Sequence, residues 1–334
     1  MREGLDDYSW VEYTKGIGII LVVYGHVARG VFNAGMIQNV ELFELVDSII
    51  YSFHMPLFFF ISGLFFVSSI TRRSAKGLLI SKVDTIVYPY LLWSLIQGLV
   101  KFMVGPFTNF GIESDELYAI LWEPIDQFWF LYVLFLIFLM ITVIYKFVSS
   151  VHLLFVLSVA LFFFGGQLSS PWSVLNSTYG YLVYFCSGMV LSQYLGQPVK
   201  NNLIWALFSG CLFVLLQVIG HSGNVDVNLE PYSRLLVGGL GVMATVFVSK
   251  YLVQINLKTL QLIGGYSLVV YLVHVLFGSG FRIIMQKFFG VDDSSFHLVF
   301  GTLVGVVLPI LFVKYAELMK LSFLFSRPKM PSKN

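Results

Sequence analysis

Lys15 and His26 stand eleven positions apart inside one apolar run, YTKGIGIILVVYGHVARGVF at residues 13–32. Eleven helical steps return to within about 20° of the same face and rise roughly 16 Å. Polar groups are costly inside a bilayer, so a cation and an imidazole on one stripe of such a helix mark a functional site by default. An imidazole that titrates near neutrality can take a proton from an attacking hydroxyl, or can itself attack and carry a group transiently. The plainer alternatives are an interhelical hydrogen bond for His26 and a snorkelling cation near a helix end for Lys15.

The elements that hold these residues must be membrane helices. Of the 334 residues 57% are hydrophobic and 11% charged, and mean hydropathy is +0.84, against roughly 25% charged residues in ordinary soluble domains. The composition predicts an all-α, polytopic integral membrane protein with about ten transmembrane helices, at about 20 residues per span. The expected spans are 13–32, 48–70, 85–104, 128–147, 151–166, 179–195, 203–220, 232–253, 261–280 and 296–317, the fifth short and the sixth starting among polar residues. They form one membrane-embedded domain over residues 1–334, with a short basic tail at 318–334 that could meet anionic lipid headgroups. A formal net charge of +2 points to no nucleic-acid partner, and Cys186 and Cys211 read as buried free thiols rather than metal ligands or a disulfide. The first apolar run reads as a retained helix, without the basic leader and cleavage site of a signal peptide.

Basic residues set the expected orientation. Arg72, Arg73, Lys76 and Lys82 follow the second span, whereas Glu113, Asp115, Glu116, Glu123 and Asp126 follow the third, so the positive-inside rule puts both termini in the cytoplasm. Arg282 and Lys287 fall on the outer side against that rule. With this topology His26, His54 and His274 each lie six residues from an outer span end, about 9 Å deep. Arg29, Arg234, Asp47 and Asp126 lie near the same side and could line a polar cavity, with Lys15 and Glu12 at the opposite end of the first span. Each histidine and aromatic here is also compatible with plain helix packing.

At these residues the sequence resembles membrane-bound acyltransferase family 3, close to its fucose 4-O-acetylase-like branch. That family opens with an acidic residue, a basic residue three positions on and a histidine after ten more, here Glu12, Lys15 and His26. FHMPLFFFISGLFF at 53–66, QFWFLYVLF at 127–135 and GGYSLVVYLVHVLF at 264–277 match further landmarks in order. The family's basic residue is most often arginine; lysine here keeps the charge without the bidentate fork.

The resemblance implies transfer of an acyl group, usually acetyl, from cytoplasmic acyl-CoA to a hydroxyl of a sugar or polysaccharide precursor. The acyl-CoA serves as co-substrate, with no metal. His26, with Glu12 and Lys15, would be catalytic, Lys15 holding CoA phosphate. His54 and His274 could bind the acceptor, orient His26 or stabilise the developing oxyanion, with Arg29 and Arg234 lining the same cavity and Trp129, Tyr266, Ser267 and Ser62 as weaker lining candidates. The partners implied are acyl-CoA, a glycan or lipid-linked sugar and membrane lipid, and the expected location is the bacterial inner membrane. A glycan or lipid transporter or flippase using the same His and Arg residues as a proton relay is the competing reading, and a sensor on the same fold is a second.

Overall fold

The computed structural model describes residues 8–104, 118–165, 170–194, 201–222 and 231–327. These residues form the helices α1 (Ser9–Asn33), α2 (Val40–Leu64), α3 (Phe66–Lys82), α4 (Tyr88–Val104), α5 (Trp129–Tyr145), α6 (Val151–Phe164) and α7 (Ser173–Leu191). The series continues with α8 (Asn202–His221), α9 (Pro231–Ile255), α10 (Lys258–Gly265), α11 (Ser267–Phe289) and α12 (Ser294–Leu318), and there is no strand among the described residues. A chain this apolar has no other economical way to satisfy its backbone, because lipid offers no partners for exposed N–H and C=O groups.

Among the described residues eight stretches are long and apolar enough to cross a membrane, and the protein is an all-α polytopic membrane protein. Each of the ten expected spans falls on a helix. The two weakest are α6, whose 14 residues rise only about 21 Å, and α7, which carries polar residues along its length. The boundaries differ most at the ninth span, because the chain breaks at Tyr266 between α10 and α11 and α11 then runs on to Phe289. It stops there because Gly290 takes a left-handed conformation (φ +66°), with its N–H on the Gln286 carbonyl. The basic segment after the second span is helical too, broken at Ser74 (φ 61°, ψ 166°) and joined to α4 by a π-helical turn at Val83–Val87.

Helix α1 occupies the middle, packed against α2, α9, α10, α11 and α12. Polar side chains on α1 are thereby removed from lipid. Close crossings depend on small residues: a Cβ at Gly63 of α2 would run into the Phe185 carbonyl of α7, and one at Gly188 of α7 into the Phe60 carbonyl. Such positions let helix backbones approach where lipid supplies no hydrophobic drive for association. Helix α8 packs chiefly on α9 at the periphery, where Ile204, Leu207 and Phe208 are exposed, as a lipid-facing surface requires. Cys186 is buried and Cys211, on α8, is exposed, so the expectation of two buried thiols holds for the first alone. The chain after α12 folds back: the Trp93 indole N–H donates to the Leu324 carbonyl at 2.7 Å and Arg327 pairs with Asp84 at 3.2 Å. The tail as far as Arg327 is therefore docked on the protein, and residues 328–334 lie outside the described residues.

Candidate active site

Helix α1 carries the site. Helix α10 lies against its Lys15 end, where a Cβ at Gly264 would strike the Glu12 carbonyl and one at Gly16 the Leu260 carbonyl. Beyond the break at Tyr266, α11 climbs beside α1 and brings its own histidine to face His26, with ring centroids of His26 and His274 5.0 Å apart and edge-on. The two histidines were placed at one level from span ends that proved short for α11. They meet because α11 is laid against α1 from its start rather than from its end.

All three histidines share one hydrogen-bonding pattern. Nδ1 of His26 lies 2.9 Å from the Val22 carbonyl, Nδ1 of His54 2.7 Å from that of Ile50, and Nδ1 of His274 2.8 Å from that of Tyr271. A carbonyl only accepts, so each Nδ1 carries the proton and donates it. Each neutral ring then presents Nε2 as an acceptor. His54 and His274 are 1% exposed, and Nε2 of His274 has no hydrogen-bond partner. Nε2 of His274 is thus a buried acceptor without a partner, on a ring that meets that of His26.

Around this pair lie Arg29, one turn along α1, and Tyr51. Arg29 forms a two-pronged bond with Asp47 (2.8 and 2.7 Å) and sits 3.4 Å over the Tyr51 ring, which also meets His54 edge-on with centroids 4.5 Å apart. Tyr51 packs on Gly25, next to His26, where a Cβ would come within 3.0 Å of its ring. Behind His274, Tyr271 donates to the Gln127 carbonyl, Gln97 bonds Asp126 and Gln127, and Lys101 pairs with Asp126. This network fixes the turn before α5, where Asp126 has a positive φ of 45°.

Two cavities open here. A large one of about 830 Å³ is lined by Arg29, Asp47, Tyr51, Tyr181, Tyr184 and Arg234 among others. A small one of about 50 Å³ is lined by His26, Val27, Gly30, His274, Val275, Gly278, Ser279 and Arg282. Arg282 stood out in the sequence as a cation on the wrong side; it is in fact inside α11 and 8% exposed. A buried arginine facing a pocket is not a loop charge, and so does not report orientation.

At the other end of the stripe, Lys15 and Arg73 lie within electrostatic reach of Lys82. Lys82 rests 4.0 Å over the Phe138 ring, and Arg73 bonds the Ser81 hydroxyl at 3.0 Å. Glu12 is close enough for its charge to be felt at Lys15, yet Lys15, Arg73 and Lys82 take part in none of the ion pairs that close among the described residues.

The remaining candidates from the sequence fall in different places. Tyr266 and Ser267 sit at the α10–α11 break, on the Lys15 side of His274, with Lys314 6.0 Å from the Tyr266 ring. Trp129 stands behind the large cavity, 5.3 Å from Tyr181 by ring centroids. Ser62 bonds its own helix at the Phe58 carbonyl, 2.8 Å away. Arg234 lines the large cavity, 5.7 Å over Phe162. The sequence marks Arg282 only as a cation against the orientation rule and does not single out Tyr51, Tyr181 or Tyr184. A signal for Tyr181 and Tyr184 is present: NSTYGYLVY within a membrane helix is too polar for a lipid-facing face.

Helix α1 of this polytopic helical membrane protein thus carries a histidine pair, His26 partly and His274 fully buried, at one end and cations outside any ion pair among the described residues at the other. The profile of an acyltransferase domain matches residues 8–314, and the chain belongs to that family, membrane-bound acyltransferase family 3. It is 25% identical over 328 residues to the nodulation protein NolL of Mesorhizobium japonicum, covering 90% of this chain and 84% of that protein. The nodulation protein NolL of Sinorhizobium fredii is 32% identical over 123 residues, 36% of this chain and 32% of that protein. No solved structure matches. The protein is therefore a membrane acyltransferase.

Proposed function

We propose that the protein moves an acetyl group from acetyl-CoA to a hydroxyl of a glycan, free or lipid-linked, with His26 as the base. The observation that carries this reading is the stripe on α1, with open cations around Lys15 at one end and the His26–His274 pair at the other. The phosphates of CoA are drawn to Lys15, Lys82 and Arg73, and the pantetheine arm spans the roughly 16 Å between Lys15 and His26 along the helix. The glycan lies in the large cavity, where Tyr181 and Tyr184 offer aromatic faces and Arg234 a charge.

Nε2 of His26 takes the proton of the attacking hydroxyl as its oxygen bonds to the thioester carbon. The resulting tetrahedral species collapses with loss of the CoA thiolate, which leaves with the proton that His26 had taken. The Nδ1–Val22 bond keeps the ring oriented through both transfers. The basic cluster belongs on the cytoplasmic side, where CoA resides, and the bacterial relatives support a place in the cytoplasmic membrane of a bacterium.

The test is transfer of label from radioactive acetyl-CoA, with purified protein in proteoliposomes and a panel of free and lipid-linked glycans. Label should reach a glycan hydroxyl with the wild type and not with folded His26→Ala. Transfer that survives the loss of His26, or none to any glycan, overturns the reading.

A further inference from the structure

Acyl transfer generates a negative oxygen, and the histidines are poorly suited to receive it. Because their Nδ1–H groups are spent on backbone carbonyls, the neutral rings of His26 and His274 offer acceptors to the small pocket they share, and the one proton that His26 then takes at Nε2 is committed to the departing thiolate. The same pocket is walled by Val27, Val275 and Gly278 and closed by Arg282. Arg282 is 92% removed from solvent, and its Nε has no hydrogen-bond partner. It is the one charged N–H donor among the residues lining this pocket. Its Nε lies beside Gly30, one turn of α1 beyond His26: a Cβ there would come within 3.7 Å of it. A buried guanidinium Nε–H left without a carboxylate or carbonyl is expensive to maintain unless an anion is to be met there.

We propose that Arg282 is a further catalytic residue, the donor that stabilises the oxyanion of the tetrahedral intermediate in the pocket shared by His26 and His274. This inference rests on the acyltransfer reading of His26. As the acceptor oxygen bonds to the carbonyl carbon, the carbonyl π pair moves onto oxygen and is met by the guanidinium N–H. When the C–S bond breaks, that pair returns to the carbonyl and the thiolate departs. The pocket, about 50 Å³, suits an acetyl group, whose methyl packs against the two valines. A fixed donor in a water-poor site is worth most where charge develops in the transition state, and loss of one such donor commonly lowers kcat about 10²-fold to 10³-fold.

The experiment follows release of the CoA thiol from acetyl-CoA by the full-length protein, both with a glycan acceptor and with water as acceptor, since either route passes through the same oxyanion. Arg282→Gln should lower kcat about 10²-fold by both routes, with the KM for acetyl-CoA changed less than about threefold. Arg282→Lys should fall between, and added guanidinium should restore part of the rate to Arg282→Gly. A folded Arg282→Gln or Arg282→Lys with the wild-type kcat overturns the proposal. So does a rise in KM at unchanged kcat, or failure of guanidinium to rescue Arg282→Gly. His26→Ala run alongside separates the two readings: if it is inactive while the Arg282 variants are normal, the role of Arg282 alone fails, and if it is fully active the site itself has been misread.

Discussion

The two ends of the α1 stripe differ in how their charges are settled. At the His26 end, Arg29 is tied in a two-pronged bond to Asp47 and stacked on Tyr51, so its charge is satisfied within the protein. At the Lys15 end, Lys15, Arg73 and Lys82 share a neighbourhood without closing an ion pair among the described residues. Like charges repel, and a cluster of this kind is stable only if solvent or a polyanion offsets it. A closed pair shapes a wall, whereas an open cluster is free to meet an anion. The contrast fits the proposed division, with donor phosphate at one end and proton transfer at the other.

Substitutions at the two ends should separate accordingly. The largest effect belongs to His26→Ala, which should lower kcat by about 10²-fold to 10⁴-fold, as for loss of a general base, while acetyl-CoA still binds in equilibrium dialysis. Loss of donor binding in that variant would erase the division between the ends. Lys15→Gln should raise the KM for acetyl-CoA about tenfold, or roughly 1.4 kcal/mol of binding, with the acceptor KM and kcat nearly unchanged. Equal shifts in both KM values would mean that Lys15 holds the helix end rather than the donor.

Asp47→Asn probes the closed pair and should act through stability and the acceptor. The carboxylate is 18% and the guanidinium 46% exposed, so a partly screened pair is lost, at a cost of about 1 kcal/mol seen as a lower Tm. Its donor KM should stay at the wild-type value. A rise there would show the two ends to be coupled through α1.

The sequence displayed the helices readily and the site in part, and the reason differs by residue. Spans are legible because lipid demands continuous apolar helices, and depth along the spans sets His26, His54 and His274 at one level without saying that His26 and His274 are the two whose rings meet. Lys82 and Arg73 were visible as orientation signals, but a charge pattern cannot say that a break at Ser74 and a π-helical turn fold that segment toward Lys15. Arg282 was seen and misassigned, since a rule about loops was applied to a residue buried in α11. Tyr51 gives no signal at all: its contacts with both Arg29 and His54 arise from side-chain packing of α1 on α2, which periodicity does not encode.

The smallest expected effect tests why the basic cluster stays open. Asp84 is two residues from Lys82, and its carboxylate is engaged by Arg327 from the returning tail at 3.2 Å. Both partners are well exposed, at 50% and 39%, so removing the pair with Arg327→Ala should change stability by less than about 0.5 kcal/mol. The expected consequence for binding is larger than for folding, because a carboxylate freed two residues from Lys82 would act on the proposed phosphate site, and charges are screened only beyond about 8 Å at physiological salt. The donor KM should rise about twofold in Arg327→Ala at low salt, return toward normal at high salt, and be restored by the double variant Asp84→Asn with Arg327→Ala. A KM indifferent to Arg327 would mean that Asp84 faces away from the cluster, and that the cations around Lys15 stay open through the geometry of the kinked segment alone.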